Sequence, residues 1–134
     1  MKQLLSILTV LICLCLSSCV DLFERTYWSD DNYEVVDNSG DSSFKTLYYK
    51  LDNGGGIGRV DFIKKIGSDE NFIILESANV NKSNKLEYWI LDKKKDNRFL
   101  NGDEIREGPF TIDSFNLRKK ELGIDLLDFE KEFK

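Results

Sequence analysis

The chain has 134 residues, 41% hydrophobic and 32% charged, with 19 Lys plus Arg against 24 Asp plus Glu and a formal charge of −5. That length fits one domain able to support its own core, and an acidic, well-mixed surface argues against nucleic acid as a partner and against electrostatic docking on anionic lipid. Histidine is absent, which removes the usual general base, Ser-His triads and nearly all zinc sites.

Lys2 and the amino terminus make a short positive start, and Leu4 to Leu16 form an apolar run broken only by Ser6 and Thr9. The run has the length of a signal-peptide core. A spanning helix needs about 20 predominantly apolar residues, and here Asp21 and Glu24 follow too closely, so residues 1–18 are expected to be a cleaved leader. The run closes on Leu16-Ser17-Ser18-Cys19, which resembles the lipobox of bacterial lipoproteins. The resemblance implies that the Cys19 thiol receives a diacylglycerol group, that a dedicated peptidase cuts just before it, and that the new amino terminus is acylated. Small Ser17 and Ser18 leave the backbone accessible to such a peptidase, and a cysteine is nucleophilic enough to take the lipid as a thioether. The expected location is the cell envelope, with the lipid bilayer held through acylated Cys19 on the periplasmic or outer face. Cys13 and Cys15 fall in the leader, so the mature chain is expected to have no disulfide and no cysteine-based metal site.

Residues 19–32 are expected to be the lipidated N-terminus and a short tether, ahead of a single domain over 33–134. Tyr27 and Trp28 are unusual in a tether; packing on the domain is preferred for them over a seat in the lipid interface. Asp37 to Ser43 reads as a loop. Phe44 to Leu51 predicts a strand, and Arg59 to Ile66 alternates, with Val60, Phe62 and Ile66 opposite Arg59, Asp61 and Lys65. Gly67 and Asp69 to Asn71 supply a turn before "FIILES", so Arg59 to Ser77 predicts an antiparallel hairpin. Leu86 to Asp92 is apolar through its middle and predicts a central strand.

In "GPFTIDSFNLRKKELGI", Thr111 fits an N-cap, Asp113 the first turn, and Phe110 with Phe115 a hydrophobic staple. Gly123 falls where a left-handed C-cap belongs. The helix ends near Leu122 and is expected to dock Ile112, Phe115 and Leu122 on the sheet. The tail "DLLDFEKEF" fits an edge strand or a second short helix. The fold class is therefore α+β: an antiparallel sheet of about four to six strands with one C-terminal helix packed on it. The strand pair "VDFIKKIGSDENFIILES", the strand "YWILD" and the closing "GPFTIDSFNLRKKELGI" resemble a family of small bacterial lipoproteins classed as a domain of unknown function. That resemblance covers roughly Val60 to Ile124 and implies a compact α+β envelope protein without an assigned activity.

Chemistry-bearing motifs are few. "NGGGIGRV" lacks the third glycine of a dinucleotide fingerprint and the Lys-Ser/Thr of a P-loop, which leaves a hairpin connection, with bare amides beside Arg59 as a weak anion cradle. Asp96, Asn97, Asn101, Asp103 and Glu104 are oxygen-rich, but their spacing is not that of a calcium loop, so a solvated turn is expected. No catalytic residue, cofactor or metal site is expected, and the chain does not read as an enzyme. Two functions fit: a non-catalytic binding or structural module of the envelope, or an immunity- or inhibitor-type lipoprotein that neutralises a toxin or hydrolase. The partners in view are accordingly the bilayer and an envelope or toxin protein, not nucleic acid.

Overall fold

The computed structural model of the protein describes residues 25–37 and 44–134. The leader, Cys19 and residues 38–43 of the expected loop lie outside them. Among the described residues the strands are β1 (Arg25–Asp30), β2 (Tyr33–Asp37), β3 (Lys45–Lys50), β4 (Gly56–Val60), β5 (Ile63–Ser68), β6 (Phe72–Asn79), β7 (Lys85–Asp92), β8 (Arg106–Phe110) and β9 (Lys131–Glu132), with helices α1 (Gly102–Ile105) and α2 (Ile112–Glu121). They form two antiparallel sheets, one ordered β1-β2-β3-β4 and the other β8-β7-β6-β5-β9.

Alternation builds the core. Tyr33 and Val35 on β2 oppose Tyr49 and Leu47 on β3, so one face of the first sheet is apolar. It packs on Ile66, Ile73, Leu75 and Leu91 of the second sheet, all fully buried. The other face of the second sheet presents Ile74, Tyr88 and Ile90 to Phe115 of α2, whose ring lies 5.2 Å from that of Tyr88. The molecule is thus sheet, sheet and helix in three layers, mostly strand with a helix packed on it. Full burial of each such side chain contributes about 1.5–3 kcal/mol.

The run from Arg59 to Ile66 is two strands rather than one. It breaks at Asp61-Phe62, where Phe62 takes φ 55, and the break sends β4 into the first sheet and β5 into the second. Alternation is lost across it, and Arg59, expected on the outer face, is 1% exposed. The hairpin itself is present as β5 and β6, with the Asp69 carboxylate accepting from the amides of Asn71 and Phe72 at 2.8 and 2.7 Å. Gly67 belongs to β5 instead of the turn. Arg25–Asp30, inside the segment expected to be a tether, pairs with β2 as the edge of the first sheet, and Tyr27 and Trp28 pack against the core.

Helix α2 begins as read: the Thr111 hydroxyl accepts from the Ser114 amide at 3.3 Å, and Gly123 follows its end at φ 70. Phe115 is buried, whereas Ile112 is 47% exposed and does not dock. The tail resolves as a strand. β9 pairs with β5, extended by the amides of Glu130 to the Ile66 carbonyl at 2.9 Å and Phe133 to the Lys64 carbonyl at 2.8 Å.

Strand directions give the molecule two distinct ends. The first strand enters at Arg25, and Asp37, Lys45, Val60, Ile63, Asn79 and Lys85 share that proximal end through the sheet registers. Lys45 there donates to the Lys134 carbonyl at 3.2 Å and lies 4.7 Å above the Tyr27 ring. At the distal end Ser68 donates to Asp30 at 2.7 Å, and Lys93 pairs with Asp30.

Candidate functional site at the proximal end

Helix α2 covers the Ile74, Tyr88 and Ile90 stretch of the second sheet. Toward the proximal end the same face, Glu76, Ala78 and Leu86, floors an open cleft of about 500 Å³ walled by Phe62, Lys64, Lys65, Val80, Glu132 and Phe133. Side chains two apart on a strand share a face, so the uncovered residues are the direct continuation of the helix-bearing surface. A second cleft of about 380 Å³ opens on the opposite side, between Asp61 and the Ser77, Glu87, Trp89 and Arg106 region. Phe62, Ala78 and Val80 line both clefts.

Phe62 is therefore the partition. A left-handed backbone is an outlier for a bulky residue and is held only where its surroundings fix it. Its carbonyl accepts from the Ala78 amide at 3.0 Å, and its ring meets Phe44 edge to face at 4.4 Å. The β6–β7 connection beside it is a short 3-10 turn, Val80–Lys82, followed by Ser83 and Asn84 at φ 53 and 59.

The polar groups of the clefts are largely committed to one another. Lys65 reaches Glu76 at 3.4 Å, and burial, together with Glu76, raises the Tyr88 hydroxyl above its ordinary pKa. Asn79 donates to Glu87 at 2.8 Å, and the buried Trp89 indole donates to the Ser77 hydroxyl at 2.8 Å. Arg106 stacks 4.8 Å above Trp89, pairs with Asp103 and donates to the Arg59 carbonyl at 3.2 Å. The rim exposes apolar and charged groups side by side: Val80 is 47% and Leu86 46% exposed, and Lys82, Lys85 and Glu132 are exposed with them.

The other residues singled out from sequence are structural. Cys19 lies outside the described residues. The Arg59 guanidinium, next to the glycine loop in sequence, forms a bidentate pair with Asp96 at 2.9 and 2.7 Å and donates to the Leu100 and Asn97 carbonyls at 2.8 and 3.0 Å. The Tyr33 hydroxyl donates to the same carboxylate at 2.8 Å; burial first, and then that hydrogen bond, push its pKa well above the usual tyrosine value. Both members of the ion pair have side chains with 0% exposure, so Asp96 is no part of a solvated turn, and Arg59, with four of its five N–H donors committed and no exposed surface, is not placed to cradle an anion. Asn101 donates from its amide to Glu104 at 2.7 Å at the start of α1. Among the described residues no group of three or more His, Cys, Asp or Glu is placed to hold a metal ion, and no helix is long and apolar enough to cross a membrane.

The sequence model of a family described as "Protein of unknown function (DUF3997)" matches residues 30–132. No curated protein and no solved structure matches the chain.

Proposed function

The chain belongs to the DUF3997 family, and from that footing we propose that it is an envelope lipoprotein, anchored through acylated Cys19, that acts as a non-catalytic binding module. The observation that carries the reading is Leu16-Ser17-Ser18-Cys19 at the close of a short apolar run. Two or three acyl chains on one residue hold a protein at a membrane essentially permanently, because each buried methylene contributes about 0.8 kcal/mol. The binding role is supported by the proximal clefts, whose buried polar groups pair with each other and whose rim exposes the aliphatic Val80 and Leu86 beside charged side chains, an arrangement suited to contact.

Metabolic labelling with a palmitate analogue tests the anchor. Wild-type chain takes up label and Cys19→Ala does not; equal label in the two would sink the reading.

A further inference from the structure

We infer that the proximal end is a docking surface for anionic phospholipid headgroups, with the Val80–Asn84 tip lying on the bilayer. The inference rests on the anchored reading and names the partner of the same site.

Reach comes first. The six residue steps from Cys19 to Arg25 span at most about 20 Å of extended chain, and Arg25 lies at the proximal end. A lipid on Cys19 therefore keeps this end near the membrane and points the distal end away.

Charge and hydropathy agree with that orientation. The segment Ala78 to Leu86 carries Lys82 and Lys85 and no acidic residue, in a chain that is acidic overall. Val80 and Leu86 are the exposed apolar groups of the tip, and Lys64 lines the cleft behind it. Of the acids around the tip, Glu76 is paired with Lys65, and Glu87 and Asp61 accept from Asn79 and Thr46, while Glu132 shares the cleft wall with Lys64. The distal end is the reverse, with Asp30, Asp31, Asp69 and Glu70 grouped around Lys93. Asp21 and Glu24 in the connecting segment contribute no attraction, so the tip lysines supply it. A pair of apolar side chains flanked by lysines, facing the surface to which the chain is tied, suits anionic headgroups: the cations meet phosphate and the aliphatic groups enter the interface.

The test uses full-length protein purified from membranes and reconstituted in phosphatidylethanolamine and phosphatidylglycerol vesicles that contain a lipid-borne quencher. A fluorophore is attached at Asn81→Cys in the tip or at Glu70→Cys at the distal end, both exposed positions; the acylated Cys19 takes no label. Quenching several-fold stronger at position 81 than at 70, and reduced by Lys82→Glu with Lys85→Glu, is the expected result. Similar quenching at both positions, no quenching at 81, or indifference to the charge reversal overturns the inference, and a protein partner for this end then takes its place. Sedimentation with the vesicles separates the two readings: wild type that pellets while Cys19→Ala does not, combined with unpolarised quenching, defeats the docking alone. Wild type that fails to pellet defeats the anchor and the docking with it.

Discussion

At Asp96 one carboxylate ties three segments together, taking hydrogen bonds from Arg59 on β4 and Tyr33 on β2 while lying itself in the connection from β7 to α1. Asp96→Ala would leave the Arg59 guanidinium buried without a counter-charge, at a cost of about 3–5 kcal/mol, a large share of a small domain's stability. Removing both charges, as Arg59→Met with Asp96→Leu, costs clearly less, because an apolar pair has no desolvated charge to compensate. Urea unfolding of the single and double variants measures the ordering, and a double variant as unstable as Asp96→Ala would contradict it. The pair was not legible in the sequence: its members are 37 residues apart, and Asp96 sits in "DKKKDN", a composition that reads as solvated.

Asp30 gives a pH signature. Burial raises its carboxyl, but the hydrogen bonds from Lys93 and Ser68 and the nearby positive charges outweigh that and hold it below the ordinary value of 3.8. A carboxyl with a lowered folded pKa contributes stability above its unfolded pKa and loses it as pH falls through the folded one. Asp30→Asn is therefore less stable than wild type at pH 7, and the gap narrows as the pH drops below about 4. Thermal unfolding across that range checks it; a gap that is constant or widens in acid would show that the Asp30–Lys93 contact does not stabilise the fold.

Among the elements, those with both a period and a punctuation signal were read in place. Helix α2 has its cap, first-turn acid and terminal glycine in sequence, and its Phe115 is 2% exposed while Leu117 is 60% exposed. Phe115→Ala should cost about 3–5 kcal/mol, and Leu117→Ala less than about 0.5 kcal/mol, as for an open surface position. Denaturant unfolding of the two compares them directly, and equal losses would mean that the helix is rotated on the sheet. Elements set by tertiary contact were not legible. Phe62 continues the alternation of β4, which fails at Ile63 and Lys64 just after it, and the bend there lets β4 and β5 join different sheets. Gly67 looks like a turn residue, yet it lies in β5 because the tail passes over it: an added Cβ would stand 2.1 Å from the Asp128 carbonyl oxygen. The tail, ambiguous on local pattern, becomes a strand because β5 offers it an edge.

On the scale of the whole molecule, the α+β class was readable from composition and punctuation, whereas the division into two sheets depended on a single bend. Net charge was a poor guide to surface character. A formal −5 describes the sum, while the strands sort Lys82 and Lys85 to one end and Asp30, Asp31, Asp69 and Glu70 to the other. The cleft beside α2 was likewise invisible in sequence, since it exists only where a ten-residue helix leaves part of an eight-residue strand pair uncovered. Everything proposed for the molecule's placement depends on the chemistry at one residue. Mass spectrometry of the N-terminal peptide of protein isolated from the membrane fraction examines that residue directly. The account predicts a chain that begins at Cys19 and carries diacylglyceryl and acyl mass on it; a chain that retains residues 1–18, or begins elsewhere with an unmodified Cys19, would contradict it.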